Sequence, residues 1–271
     1  MVHRELFNYY PEVQKGPTIY DDCVQLHGVN NSTALLQCVA DSFQHAAAVR
    51  NGDTQRFLLV VAGAMIFFMQ AGFAMLCAGC VRLKNVQNTM LKNLLDACGA
   101  ALAWFLVGNG LAFGGQCCTT GTTFIGTQDF ATTDPSPAFW FFEYTFSATS
   151  VTIVAGTLAE RCQMAAYLCY AVVLTGFVYP VITHALWSSN GFLNNGNASP
   201  FLGSGAIDFA GSGVVHLTGG TTALYATLIL GARRGRFYDE QGEPLETPKP
   251  FPGHSVALQL LGTMILWFGC E

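Results

Sequence analysis

Charge is what this sequence has least of. Asp, Glu, Lys and Arg together make up 11% of its 271 residues, where soluble domains carry about 25%. So little charge does not cover the surface of a water-soluble globule, which argues against a soluble enzyme and against a disordered linker. Basic residues are the scarcer sign, with 12 Lys and Arg against 17 Asp and Glu and a net charge of −5. A polyanion finds no electrostatic attraction here, so nucleic acid is excluded as a partner. Nothing before Phe57 has the short apolar core of a signal peptide, and residues 1–56 read as polar and loop-like.

Apolar side chains are what the chain has instead: 51% of residues are hydrophobic and the mean hydropathy is +0.37. A membrane span needs about 20 apolar residues, so the length allows roughly six or seven spans. Six segments qualify: Phe57–Val81, which contains no charged residue, about Leu94–Gly115 with Asp96 at its edge, about Phe139–Ala159, about Met164–Trp187, about Phe209–Ala232, and a sixth from Val256 onward. Strands of a membrane barrel would alternate over about ten residues, and these runs are too long and continuous for that. Helices satisfy their own backbone in lipid, and the many small residues let them pack closely. The expected fold is all-α, a polytopic helical bundle in a lipid bilayer, with residues 1–56 as an extracellular segment and 57–271 as the transmembrane domain.

Orientation follows from Lys and Arg in short loops. Arg82, Lys84 and Lys92 fall in the first loop, Arg161 in the third, and Arg233, Arg234, Arg236 and Lys249 in the fifth; the second and fourth have none. Odd loops are then cytoplasmic and the N-terminus is outside. The sequons at Asn30, Asn31 and Asn197 fall on the same outer side. Of the ten cysteines, Cys23 and Cys38 lie in the outer segment, where disulfides persist. Cys117-Cys118 lacks zinc-site spacing, and no metal or cofactor is implied.

Ionisable residues inside spans are functional candidates because they are costly there. His216 lies mid-helix in DFAGSGVVHLTGG, either as a functional group or bonded to a backbone carbonyl. Asp208 precedes that helix and suits an N-cap. His184, near a span end, reads as structural. Glu143 sits in FWFFEYTF, among aromatics that suit an interfacial belt. Phe142 and Phe146, one turn apart, share a face in a way that a belt does not require.

Four motifs then carry a resemblance: MQAGFAMLCAGCVRLKN, AGTLAER, GFVYP and DFAGSGVVHLTGG, in this order. Together they resemble the ammonium transporter (Amt/Mep/Rh) family, most closely its plant and algal members, from about Phe57 onward. The resemblance implies a homotrimer of eleven-span protomers, each with its own narrow pore for ammonium or ammonia and methylammonium, and no enzymatic activity. It implies an outer recruiting site at which Trp187 and Phe146 match the Trp and Phe, with Phe142 as the other gate aromatic. His216 then matches the first of two pore histidines, and Asp208 the acid behind the recruiting site. Aromatic faces attract a small cation by about 0.5–2 kcal/mol. An imidazole deep in an apolar pore accepts a proton or hydrogen bond that potassium cannot supply. A whole ion in a dry pore is penalised, which favours splitting ammonium into ammonia and a proton.

The family consists of two inverted repeats facing each other across the pore. Residues 57–271 correspond to the first repeat and the start of the second, so the expectation is a fragment or a truncated product. The Ser of the outer site and the second pore His would belong to the part beyond Glu271. Glu143 departs from the family, which usually has Gln there. A second reading is a regulatory or ammonium-sensing subunit without transport of its own. A seven-span receptor is a third, and the lack of Lys inside the six segments speaks against a retinal-type one. In plant members N-terminal cysteines tie subunits together, so Cys23 and Cys38 are expected at the trimer interface in at least one disulfide, within a chain or between chains.

Overall fold

The computed structural model describes residues 18–29, 31–115, 121–133, 136–239 and 241–270. Asn30, Cys117 and Cys118 lie outside the described residues. Its helices are α1 (Ile19–His27), α2 (Ser32–Cys80), α3 (Leu83–Phe113), α4 (Pro137–Leu158), α5 (Met164–Trp187), α6 (Ser212–Leu230) and α7 (Val256–Cys270). Among the described residues only isolated bridges represent β-structure. The fold is therefore all-α, as the composition requires.

The chain divides into two compact units, Met1–Phe57 and Leu58–Glu271. In the first, the loop-like reading of residues 1–56 is overturned for residues 19–27 and 32–56, which are helical. The cause is local. Thr18 and Asp21 form a reciprocal capping box at the start of α1, which satisfies two N–H groups at once. Asn31 Oδ1 accepts from Ala34 N–H at 3.3 Å at the start of α2, and no Gly or Pro interrupts the chain from Ser32 to Asn51. Cys23 and Cys38 are bonded to each other. Of the two pairings expected, within a chain or between chains, the structure has the one within a chain.

Helices α2, α3, α5 and α6 are long and apolar enough to cross a membrane. Helix α7, at 15 residues, is shorter. Helix α4 has 22 residues but carries many hydroxyls, and it is buried. Ser136 Oγ accepts from Phe139 N–H at its start, with Pro137 in the first turn, where a missing N–H costs nothing. Its hydroxyls donate back to its own carbonyls, as in Thr145 to Phe142 at 2.6 Å, Thr149 to Thr145 at 2.8 Å and Ser150 to Ser147 at 2.8 Å. A polar helix is thereby made compatible with a dry core. Ala148, Val151, Val154 and Thr152 on α4 are fully buried, as are Trp104 of α3 and Tyr179 of α5. Helix α6 lies close to α4, since a Cβ at Gly219 would stand 2.9 Å from the Ser150 carbonyl.

The second span starts earlier than hydropathy suggests. Helix α3 begins at Leu83, so Asp96 is inside it and not at its edge, and Lys92 belongs to the helix and not to the loop. Both are buried. Tyr167 donates its hydroxyl to Asp96 Oδ2 at 2.5 Å, and Lys92 Nζ donates to the Cys162 carbonyl at 2.7 Å. The premise that no Lys lies inside a span therefore fails, although Lys92 is already bonded. Three helices each contain a π-turn, at Trp104–Gly108, Leu174–Val178 and Ser212–Leu217, a local widening that often marks functional positions.

Candidate functional site

The site begins at the C-terminal end of α5. Trp187 is its last residue, after which the backbone becomes extended at Ser188. The chain returns through residues 189–207 to Asp208, and the Trp187 indole N–H donates to the Asp208 carbonyl at 2.7 Å. Asp208 is held in turn by the start of α6. Its Oδ1 accepts from Gly211 N–H at 2.8 Å and Ser212 N–H at 2.9 Å, and its Oδ2 from Gly213 N–H at 2.9 Å and Val214 N–H at 2.7 Å. Gly211 makes this wrap possible, with a left-handed φ of +87° that costs glycine little. Partial burial alone would raise the Asp208 pKa, but these N–H groups outweigh it and hold the carboxyl below its ordinary value. The Asp208 carboxylate thus caps α6 while its backbone carbonyl holds the Trp187 indole, which places it behind the aromatic pair.

Trp187 meets Phe146 of α4 edge to face, with ring centroids 5.5 Å apart at 68°. Phe146 meets Phe142 with centroids 4.9 Å apart at 89°. A cavity of about 330 Å³ lies on one side, lined by Trp187, Asp208, Phe142, Phe146 and Glu143 among others. A second, of about 640 Å³, is lined by Phe142, Phe146, Thr149, Met69 and His216. The two phenylalanines form a wall common to both. His216 lies in the π-turn of α6, where its N–H and that of Val215 both reach the Gly211 carbonyl at 2.9 Å. The structure therefore brings Trp187, Phe146, Phe142 and Asp208 together around one cavity and places His216 on the next.

His184 is a brace, as its structural reading requires. Nδ1 donates to the Ala112 carbonyl at 2.7 Å, so in the neutral ring Nε2 is the acceptor for the Thr123 hydroxyl at 2.8 Å, because a carbonyl cannot donate. Asn197 is 8% exposed. Its Nδ2 donates to the Gly191 carbonyl at 3.0 Å, and its Oδ1 accepts from Thr122 Oγ1 at 3.0 Å and Ser199 N–H at 2.9 Å. This sequon is a loop-folding asparagine and gives no support to orientation.

One charged centre escaped the motif reading. Glu160, the acid of AGTLAER, has a side chain 1% exposed. Its Oε1 accepts from Arg82 Nε at 3.0 Å, Arg82 N–H at 3.1 Å and Asn85 Nδ2 at 2.5 Å, and its Oε2 from Arg233 Nη1 at 2.9 Å. Burial alone would raise its pKa, but these donors together lower it to about 2. The Arg82 guanidinium also lies 3.7 Å from the centroid of the Phe251 ring.

The sequence profile of the Ammonium Transporter Family matches residues 57–270. Ammonium transporter 1 member 3 of Solanum lycopersicum is 44% identical over 211 residues, which cover 78% of this chain and 45% of that protein. Ammonium transporter Amt2 of Archaeoglobus fulgidus is 45% identical over 217 residues, covering 78% and 44%. Among solved structures, one titled Sensor Amt Protein superposes with a TM-score of 0.66 at 32% identity, covering 79% of this chain and 52% of that one. Mep2 of Candida albicans superposes with a TM-score of 0.63 at 29% identity, covering 79% and 46%. The chain spans about half the length of the relatives it matches.

Proposed function

The chain belongs to the ammonium transporter family, and from that premise we propose that it serves to move ammonium or ammonia across a membrane. The observation that carries this reading is the Phe142–Phe146 pair standing between two cavities, with Trp187 on one and His216 on the other. A cation or methylammonium is first held against the faces of Trp187 and Phe146, where cation–π attraction compensates for part of its lost hydration. Passage from one cavity to the other then goes by the phenylalanine pair, which lines both. His216, beyond it, offers an imidazole to an N–H donor. A metal ion of similar size has no proton to give and stops there.

The protein acts in this reading as a multi-pass protein of the plasma membrane, with its N-terminus outside, as a homotrimer. The experiment is uptake of labelled methylammonium in cells lacking their own ammonium transporters. Saturable uptake above the vector control supports transport, and uptake at background overturns it. A second reading, ammonium sensing or regulation without transport, draws on the printed title of one structural neighbour, Sensor Amt Protein. Co-expression with a full-length relative separates the two. A regulatory subunit changes the relative's uptake while giving none of its own.

A further inference from the structure

The first cavity contains an ionisable group that aromatic capture leaves unused. Glu143 lies on α4 between the gate ring of Phe142 and the buried Tyr144. It contributes to the cavity wall beside Phe146 and Trp187, yet the residue is only 5% exposed. Its Oε2 is buried and accepts no hydrogen bond among the described residues. The ion pairs formed among those residues engage Asp53 and Glu160, and none of them engages Glu143. The contrast with Glu160 is direct: one buried carboxylate has a full set of donors and the other has none. An ionised carboxylate out of water is costly unless a cation or donors compensate it, and an unpartnered carboxyl group beside a cavity is matched by a ligand that donates.

We infer that Glu143 is a cation ligand of this cavity, binding an ion of the ammonium class through an N–H donated to its carboxylate. The same ion presents its other side to the faces of Phe146 and Trp187. The division of labour follows from chemistry. Aromatic faces attract any small cation, whereas a charge-assisted N–H···O⁻ bond is directional and requires a proton on the ligand. A carboxylate at this position therefore adds both charge and hydrogen-bond selection to a site whose other walls are largely apolar. The ligand class rests on the transport reading above, while the role of the carboxylate rests on its own burial and missing partner.

Equilibrium binding of labelled methylammonium to the purified protein in lipid nanodiscs tests this. Glu143→Gln keeps the shape and removes the charge, and it is expected to weaken binding by roughly tenfold or more, as befits a lost hydrogen bond to a charged group. Glu143→Asp keeps the charge and is expected to stay within roughly threefold of the wild type. Thermal unfolding of both variants close to that of the wild type confirms that the comparison is between folded proteins. If Glu143→Gln binds as the wild type does while Trp187→Leu binds more weakly, the carboxylate is no ligand and the aromatic site stands. If Glu143→Asp loses as much as Glu143→Gln, charge is not the cause and the inference is overturned. If the wild type binds no methylammonium, the transport reading falls and the inference with it.

Discussion

Trp187 and His216 face different cavities, so their losses should read differently in transport. Trp187→Leu removes a cation–π face worth about 0.5–2 kcal/mol, so half-saturation is expected to rise several-fold while maximal flux changes less. His216→Ala leaves capture intact and removes the acceptor beyond the gate, so maximal flux is expected to collapse with the protein still folded. Concentration series of methylammonium uptake check both, and a Trp187 variant that loses only maximal flux would reverse the assignment. Asp208→Ala is expected to act on structure first. It strips the acceptor from four N–H groups at the start of α6, and loss of a helix cap costs about 0.5–2 kcal/mol. A lowered midpoint of thermal unfolding checks this, and Asp208→Asn, which retains one side-chain acceptor, should lie between. His216 stood out in the sequence as an ionisable group inside an apolar run and Phe142 and Phe146 as a pair one helical turn apart, whereas Trp187 came from the family resemblance alone. Asp208 was legible as a cap from its place before a helical run. What the sequence did not reveal was that capping occupies the whole carboxylate. Nor does a sequon reveal that Asn197 is folded inward.

Between elements, the decisive contact is Glu160, whose partners come from two places, Arg82 and Asn85 from the start of α3 and Arg233 from just past the end of α6. Its pKa is lowered from 4.5 to about 2, which fixes the sign of its linkage to stability. The contribution is fully present above the unfolded value near 4.5 and is lost as pH falls through that value toward 2. Glu160→Gln is expected to lower the thermal midpoint at pH 7 and to flatten the fall in stability between about pH 5 and 3. Removing one member of a buried ion cluster costs on the order of 3 kcal/mol, and here less, since Arg82 and Arg233 are partly exposed to water. Parallel unfolding curves for wild type and variant across that range would show that the cluster adds nothing. A helix stands at each of the six apolar segments and in their order, but four of these helices are long and apolar enough to cross a membrane, and hydropathy did not give their limits. Lys92 and Asp96 seemed to mark a loop and an edge because hydropathy weighs a charge without its partner, and here the Cys162 carbonyl and Tyr167 hydroxyl supply those partners. Glu160 was visible as part of a motif, yet its function as a hub depends on residues more than seventy positions away.

At the scale of the whole molecule, the described residues of the first unit bury few apolar side chains, Cys23 and Leu35 among them. Helix α1 has nine residues, and isolated helices shorter than about 12–15 residues are marginal in water. The Cys23–Cys38 bond, closing a sequence separation of 15, compensates by restricting the unfolded chain, an effect worth about 3 kcal/mol for a loop of this size in the chain-entropy treatment. Because each cysteine is the other's partner, neither is left to join a second chain. On denaturing gels of alkylated protein, the band is therefore expected at single-chain size with and without reductant. Cys23→Ser/Cys38→Ser is expected to leave that band unchanged while making the segment around α1 more rapidly cleaved by a protease at low concentration. A larger species that collapses on reduction and disappears in the double variant would mean that these cysteines link chains after all. Equal cleavage rates would mean that the capping box of Thr18 and Asp21 holds α1 without the bond.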